Sequence, residues 1–216
     1  MVTPADTPGV DYKQLVRQGY DQCAERYSQA RQREENPELA FLQRHLGDQA
    51  TVLDIGCGGG VPVCSTLAHR CVVTGVDISP VQIDLAQRQV PGGHFLCGDI
   101  MGMSFPEGHF DAVVSFYAIF HLPKEEHREL FTRIHHWLKP KGYFMGTVAM
   151  EDEAPYTEDD FFGVTMYWSN YGVRDYRQML EGLGFTLRGM EELGSGYRDG
   201  LKVTTEIHPL IFAQKG

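Results

Sequence analysis

The sequence predicts an α/β fold in which helices cover both faces of a mostly parallel sheet. Segment 51–60 begins as a short apolar run with β-branched residues and ends in glycines. This pattern is typical of a buried parallel strand that runs into a tight turn. Further β-rich runs alternate with helical patterns along the chain, as in folds built from strand–helix–strand units.

Composition limits the classes of partner that we expect. The chain of 216 residues is long enough for one domain with a sizeable core, and the net charge of −10 disfavours nucleic acid. No apolar run reaches the roughly 18 residues of a membrane helix. The five cysteines lack metal-ligand spacing, which indicates reduced thiols in a cytoplasmic protein and no metal site. The polar residues 1–10, which include two prolines, are predicted to be disordered rather than a targeting peptide.

The glycine-rich turn is the most informative motif. Its pattern places Asp54, Gly56, Gly58 and Gly60 at every second position. Glycines admit positive φ and let a ligand lie against the backbone. The fingerprint of dinucleotide-binding proteins would need a glycine in place of Val61. The phosphate-binding Walker loop would need a lysine, which this turn lacks. The carboxylate of Asp54 would repel a pyrophosphate and suits a cationic ligand. A turn that holds no ligand is the alternative.

This motif resembles the first motif of the class I S-adenosylmethionine-dependent methyltransferases that act on small molecules. The resemblance spans about residues 36–214 and implies a Rossmann-like, doubly wound sheet of seven strands in the order 3-2-1-4-5-7-6, with an antiparallel last strand. It also implies S-adenosyl-L-methionine as cofactor and S-adenosyl-L-homocysteine as product. The three glycines would lie along the methionine part, and the cationic sulfonium and amino group suit Asp54.

Apolar periodicity and turn signals place the elements in order. They predict helices over 11–33, 37–46, 61–69, 81–90, 124–138 and 173–183. After the first strand of the sheet, β-rich runs predict strands at 71–77, 94–97, 110–116, 185–191 and 207–214, with a hairpin loop over 192–205. A further strand is predicted to run from the turn at 138–144 to about 148. Residues 11–216 therefore form one domain, in which 11–47 is a helical cap.

Asp77 is the predicted ribose ligand. It ends the second β-rich run, 21 positions beyond Gly56, where doubly wound folds accept ribose hydroxyls. Its neighbour Ile78 is expected to cover one face of the adenine. The structural alternative for Asp77 is an N-cap of the next helix, a role better suited to Ser79.

The resemblance implies three further cofactor contacts. An acidic residue after the third strand of these enzymes accepts the adenine amino group, and its neighbour packs on the ring. Asp99 and Ile100 stand at those positions, and Phe116 ends the matching fourth strand. As a set, these residues are a more specific signal than any one of them.

Two tyrosines of the first helix are further candidates. Tyr20 and Tyr27 resemble residues of the N-terminal helix that covers the cofactor in many small-molecule methyltransferases. They would approach the methionine end of the cofactor. An equally weighted alternative is that both rings only pack in the core.

His121 is the predicted general base. It follows the fourth strand at the carboxyl edge of the sheet, where ligands bind in open α/β folds. Its ordinary pKa range suits proton removal from a hydroxyl or thiol. The alternative is a histidine that orients the loop. Tyr20 and Tyr167 are predicted catalytic residues by position, and the motif of enzymes that methylate base or glutamine nitrogen is absent here.

The insertion 151–172 is predicted to be a substrate lid. It begins with acidic residues and continues with aromatic ones. An aromatic lid excludes water and favours a flat or apolar acceptor. Ordinary core packing of these rings is the alternative.

The predicted function is therefore methyl transfer to a small-molecule acceptor by in-line displacement. Oxygen is favoured as the acceptor atom, with nitrogen, sulfur and carbon open. Two rivals use the same cofactor motifs or scaffold: a cyclase or lyase-type enzyme without methyl transfer, and a non-catalytic interaction protein. We expect a monomer or homodimer that binds neither nucleic acid nor membrane.

Overall fold

The computed structural model describes residues 2–4, 11–31, 37–196 and 203–216. Its helices are α1 (Tyr12–Arg31), α2 (Pro37–Gln43), α3 (Val63–Leu67), α4 (Pro80–Gln89), α5 (Lys124–Trp137) and α6 (Val173–Gly182). Its strands are β1 (Val2–Pro4), β2 (Thr51–Ile55), β3 (Val72–Asp77), β4 (His94–Cys97), β5 (Phe110–Ser115), β6 (Leu138–Thr147), β7 (Glu153–Phe161), β8 (Val164–Asn170), β9 (Phe185–Gly196) and β10 (Val203–Lys215).

The large sheet has seven strands in the order β4-β3-β2-β5-β6-β10-β9. Numbered within this sheet, the order is 3-2-1-4-5-7-6, which confirms the predicted topology. The strands from β2 to β6 pair in parallel, whereas β10 runs antiparallel to both β6 and β9. The chain winds outward from β2 in both directions, so the carboxyl end of β2 lies at the switch point where open α/β sheets bind ligands.

Successive side chains of β2 point to opposite faces of the sheet, so this strand contributes core residues to both faces. Leu53 and Ile55 belong to the cluster that packs under α5 and α6. Val52 belongs to the cluster under α2 and α3, which also contains Cys64. Because side chains two positions apart share a face, Asp54 points to the same side as Val52 and lies against Cys64.

Some elements differ in length from the prediction. The helix predicted over 61–69 is confined to α3, because the glycine turn continues to Pro62 before the first helical residue. The final strands extend into the predicted loop, since their antiparallel pairing continues out to Gly196 opposite Val203. The tip of that loop, 197–202, lies outside the described residues.

A second, three-stranded sheet has the order β1-β7-β8. The predicted lid insertion thus folds as the hairpin of β7 and β8. Val2–Pro4 pair with β7, so the prediction of disorder is wrong for these three residues, because β7 supplies them with a backbone partner. The rest of 1–10 lies outside the described residues.

The hairpin and α1 share a core of their own. Val16 and Cys23 of α1 pack with Val164, Met166 and Tyr167 of β8. A side chain at Gly19 would lie 2.9 Å from the Met166 methyl carbon, so the helix and strand approach closely there. In the part of the chain that the structure describes, no helix is long and apolar enough to cross a membrane, and no group of histidine, cysteine and carboxylate side chains has the arrangement of a metal site.

Candidate functional site

The main cavity lies at the carboxyl edge of the large sheet, beneath α1. It encloses about 700 Å³, including its open mouth. Its walls come from α1 and from the ends of β2, β3, β4 and β5. Most of the predicted cofactor residues line it: Tyr20, Tyr27, Gly56, Gly58, Asp77, Ile78, Asp99, Ile100 and Phe116, together with His121.

A smaller cavity adjoins the first one. It shares the walls formed by Tyr27, Gly56, Gly58 and Phe116, and it encloses about 380 Å³. Asp54 lines this second cavity, and so do Ser28 and Arg31. The shared walls place the two cavities side by side at the glycine turn.

The glycine turn owes its shape to left-handed residues. Gly56 and Gly58 have φ of 71° and 52°, values that residues other than glycine rarely adopt. A Cβ at Gly56 would lie only 2.1 Å from the Ala118 side chain, so the turn passes tightly against the segment after β5.

Gly60 lines neither cavity, and its contact with the cofactor stays a prediction. Its φ is 80°, and a Cβ there would lie 3.1 Å from Val90 and 3.3 Å from Ala86. The third glycine of the motif therefore allows close packing of the turn against α4.

The carboxylate of Asp77 is held by backbone donors. It accepts hydrogen bonds from the N–H groups of Gly58 and Ser79, each at 2.9 Å. Burial raises the pKa of Asp77 to about 6, although these two N–H groups favour the ionised form. The N-cap of α4 is Ser79, whose hydroxyl accepts from the Gln82 N–H, as the sequence indicates.

Asp99 forms an ion pair that sequence reasoning did not predict. One carboxylate oxygen accepts from the N–H of Met101, and the other lies 2.8 Å from Nζ of Lys13 on α1. Lys13 also lies 2.6 Å from Glu126. Each carboxylate oxygen has two lone pairs, so Asp99 keeps the capacity to accept another donor.

Asp54 is only 2% exposed. The Cys64 thiol donates to its carboxylate at 3.1 Å. Burial raises the pKa of Asp54 to about 7, and nearby Arg31 acts in the opposite direction. This carboxyl group is therefore poised to ionise when a cation reaches the second cavity.

Arg31 is a site residue that sequence reasoning missed. It is buried, and its guanidinium carbon lies 4.7 Å from the ring centre of Tyr117 and 6.0 Å from that of Tyr27. The signal was present in the sequence, because Arg31 lies four positions after Tyr27 on the same helical face. A guanidinium in this position can bind a carboxylate with two parallel hydrogen bonds.

The Tyr20 hydroxyl lies 2.8 Å from Nε2 of His121. The other imidazole nitrogen, Nδ1, lies 2.8 Å from the carbonyl oxygen of Tyr167. A carbonyl can only accept, so Nδ1 carries the proton and Nε2 of the neutral ring accepts from Tyr20. Burial lowers the pKa of His121 to about 4 and raises that of Tyr20, which keeps both groups neutral.

The side chain of Tyr167 lines neither cavity, and its catalytic role stays a prediction. Its ring stacks on Tyr12, with 4.3 Å between ring centres. Neighbouring residues of a strand point to opposite faces, so Trp168 rather than Tyr167 faces His121. Tyr167 instead contributes the backbone carbonyl that sets the His121 tautomer.

Parts of the chain are similar to known methyltransferases. Residues 52–142 match a family model described as a methyltransferase domain. Phosphoethanolamine N-methyltransferase of Plasmodium falciparum is 33% identical over 120 residues, which are 54% of this chain and 45% of that protein. Sterol 24-C-methyltransferase erg-4 of Neurospora crassa is 36% identical over 150 residues, 60% of this chain and 37% of that protein. The chain thus spans less than half the length of these relatives.

A solved structure extends the likeness to almost the whole chain. The 1,6-didemethyltoxoflavin-N1-methyltransferase of Burkholderia thailandensis, with bound 1,6-didemethyltoxoflavin and S-adenosylhomocysteine, superposes with a TM-score of 0.74. The alignment covers 99% of this chain and 94% of that one at 22% identity, which is evidence for the fold. Residues 52–142 therefore match a methyltransferase domain, and the chain has the fold of the class I S-adenosylmethionine-dependent methyltransferases.

Proposed function

We propose that this chain binds S-adenosyl-L-methionine across the two adjoining cavities and transfers its methyl group to a small-molecule acceptor. One observation carries the proposal: the glycine turn joins a cavity that contains Asp77 and Asp99 to a cavity that contains Asp54 and Arg31. The first pair suits the adenosine part of the cofactor, and the second pair suits its zwitterionic amino-acid part.

At the adenosine end, the ribose hydroxyls would donate to Asp77, and the adenine amino group to Asp99. Ile78 and Ile100 also line this cavity and offer apolar surface to the adenine ring. At the other end, Asp54 would pair with the ammonium and Arg31 with the carboxylate. Two charges of opposite sign in the cavity thus match two charges of opposite sign on the ligand.

When bound, S-adenosyl-L-methionine would supply an electrophilic methyl group, and its sulfur would leave as the thioether of S-adenosyl-L-homocysteine as the acceptor atom bonds to the methyl carbon. The residues of this chain would hold the cofactor and the acceptor in line, which can supply much of the rate. Tyr20 lines the cavity, and its proton points to Nε2 of His121. A protonated acceptor can therefore give its proton to the Tyr20 oxygen while Tyr20 passes its own to His121.

We propose oxygen as the acceptor atom, since the Tyr20–His121 pair provides a route for a hydroxyl proton. Nitrogen and carbon are the alternatives, and the names of the two relatives include an N-methyltransferase and a C-methyltransferase. The aromatic side chains of the hairpin favour a flat or apolar acceptor. The proposed role of the hairpin is that of a lid over this acceptor.

Calorimetric titration with S-adenosyl-L-methionine and S-adenosyl-L-homocysteine tests the cofactor proposal. Asp77→Asn should weaken both affinities by tenfold or more, because a charge-assisted hydrogen bond contributes about 1.5–3 kcal/mol. The matched control is Asp160→Asn, which makes the same chemical change at a position outside both cavities. Asparagine tolerates the φ of 74° at this position.

The control should bind as tightly as the native chain. If the native chain binds neither ligand, the cofactor proposal is wrong and the interaction-protein alternative becomes the better reading. If both variants lose affinity equally, Asp77 is not a specific ligand of the ribose.

A further inference from the structure

Four rings from three separate parts of the chain meet beside the cofactor cavity. Tyr20 comes from α1, His121 from the segment after β5, and Phe161 and Trp168 from the hairpin. The ring centres of His121 and Trp168 are 4.4 Å apart, and those of Phe161 and Trp168 are 5.5 Å apart. Phe161 also lies 6.1 Å from Tyr20. We call these four residues the acceptor cluster.

Trp168 differs from the other members in one respect. Its indole N–H is buried and has no hydrogen-bond partner among the described residues. Buried donors in proteins are paired in the great majority of cases, because a donor taken out of water without a partner is unfavourable. An unpaired N–H beside the candidate proton acceptor His121 therefore indicates a ligand that carries the missing acceptor atom.

The acceptor cluster consists of neutral groups. The Tyr20–His121 hydrogen bond joins a phenol to a neutral imidazole, and Phe161 and Trp168 carry no charge. Burial works against ionisation of both Tyr20 and His121. These four residues offer no charge to a charged acceptor, whereas a neutral planar molecule can stack or pack edge-on against their rings.

We propose that Trp168 is a specificity-determining residue whose indole N–H donates a hydrogen bond to the acceptor. The acceptor class is a neutral planar molecule with a carbonyl oxygen or an unprotonated ring nitrogen in addition to its nucleophilic atom. This inference rests on the proposed methyl transfer and adds the chemical class of the acceptor. Phe161 and Trp168 line neither cavity, so the acceptor reaches the indole N–H only when the rings of the acceptor cluster move apart.

Selectivity follows from the unpaired donor. A site built to hydrogen-bond one group rejects an analogue without it, because the site's own polar atom then stays unpaired. Apolar surface alone discriminates weakly between molecules of the same shape. Two ligands that differ only in one accepting atom should therefore separate the role of Trp168 from that of the surrounding rings.

Two pairs of isosteres provide this comparison. 5-Hydroxyquinoline has the shape of 1-naphthol, and 6-hydroxyquinoline has the shape of 2-naphthol, but only the quinolines carry a ring nitrogen. We would titrate each compound by calorimetry at pH 8 into the chain saturated with S-adenosyl-L-homocysteine. At least one quinoline should bind about tenfold more tightly than its naphthol, which corresponds to one hydrogen bond.

Trp168→Phe removes the N–H and keeps an aromatic ring. In this variant the affinity for the quinoline should fall to that for the naphthol, while the affinity for the naphthol stays within a factor of about three. Phe161→Leu is the matched control in the acceptor cluster, because it reduces stacking without removing a donor. It should weaken both members of a pair equally and keep their ratio.

Three results would overturn the inference. These are equal affinity of the native chain for both members of each pair, a preference that persists in Trp168→Phe, and no binding of any of the four compounds. The native comparison needs no variant, so a folding defect in Trp168→Phe leaves it valid. Failure of S-adenosyl-L-homocysteine to bind at the start would instead refute the proposed function.

Discussion

The phenolic oxygen of Tyr20 lies 2.8 Å from Nε2 of His121, although the two residues are 101 positions apart in the chain. The contact joins α1 to the segment that follows β5. Because the Tyr167 carbonyl occupies the other nitrogen of the imidazole, Nε2 is an acceptor for the Tyr20 hydroxyl. The N-terminal helix thus supplies a polar group to the site in addition to covering the cavity.

Tyr20→Phe tests whether this pair moves a proton. With an acceptor whose nucleophile carries a proton at the working pH, we expect kcat to fall by roughly 10²–10⁴, the usual range for loss of general acid–base help. The affinity for S-adenosyl-L-homocysteine should change by less than about threefold, because no charge is lost. The measurements are turnover with a labelled methyl donor and calorimetric titration.

Tyr12→Phe is the control for that experiment. Tyr12 is on the same helix, but its ring stacks on Tyr167 and lines neither cavity. It should retain native turnover. An unchanged kcat in Tyr20→Phe would contradict the proton route and leave Tyr20 as a packing residue.

Arg31→Gln tests the proposed binding of the cofactor carboxylate. We expect the affinity for S-adenosyl-L-homocysteine to fall by about 10- to 100-fold, since hydrogen bonds between charged groups contribute about 1.5–3 kcal/mol. 5′-Methylthioadenosine lacks the amino-acid part of the cofactor, so its affinity should be the same for the native chain and the variant. Calorimetry measures both ligands.

Arg44→Gln provides the matched control for Arg31. Arg44 lies over the ring of Phe41, and it lines neither cavity. The control should bind both ligands as the native chain does. An equal loss for the two ligands in Arg31→Gln would show that Arg31 supports the fold of the cavity rather than the carboxylate.

Asp54 should make stability depend on pH. Its pKa rises from 3.8 to about 7 on folding, mainly through burial, so the folded chain holds this proton more tightly than the unfolded chain does. The stabilisation is complete below pH 4 and is lost as the pH rises to 7. Over that range it amounts to on the order of 4 kcal/mol.

Asp54→Asn removes this titration. Asp77 shifts in the same direction, so the variant is compared with the native chain rather than judged alone. We would measure the fall in the free energy of unfolding between pH 5 and pH 7.5 by denaturation in urea. This fall should be smaller by roughly 2 kcal/mol in the variant than in the native chain. Parallel pH profiles for the two proteins would mean that Asp54 is ionised in the empty site at pH 5.

Gly60→Ala tests the structural role assigned to the third glycine. Its left-handed φ and its contacts with Val90 and Ala86 should make alanine destabilising by about 1–3 kcal/mol. Gly47→Ala is the control, because nothing lies within 4 Å of a Cβ there. It should change the free energy of unfolding by less than about 1 kcal/mol.

The same variant separates packing from cofactor binding. Folded Gly60→Ala should bind S-adenosyl-L-homocysteine nearly as tightly as the native chain. Gly58→Ala should bind it more weakly, because Gly58 lines both cavities and donates its N–H to Asp77. A large loss of affinity in Gly60→Ala alone would support its predicted role as a cofactor contact.

The sequence by itself determined the sheet topology and the part of the site at the strand ends. The glycine turn, Asp77 and Asp99 each follow a recognisable β-rich run, and parallel strands bring their carboxyl ends to one edge. Residues in such positions become neighbours once the strand order is known. The local pattern, together with the strand order that the family resemblance implied, was therefore sufficient to place them in one cavity.

Only the tertiary structure decided which side chains on other elements reach that edge. The rotation of α1 brings Arg31 near Asp54 and Lys13 to Asp99, and the hairpin turns the ring of Tyr167 away while Trp168 faces His121. These contacts depend on how a helix and a hairpin pack together across long separations in the chain. Neither helical period nor strand alternation specifies that packing, because each records only the orientation of side chains within its own element.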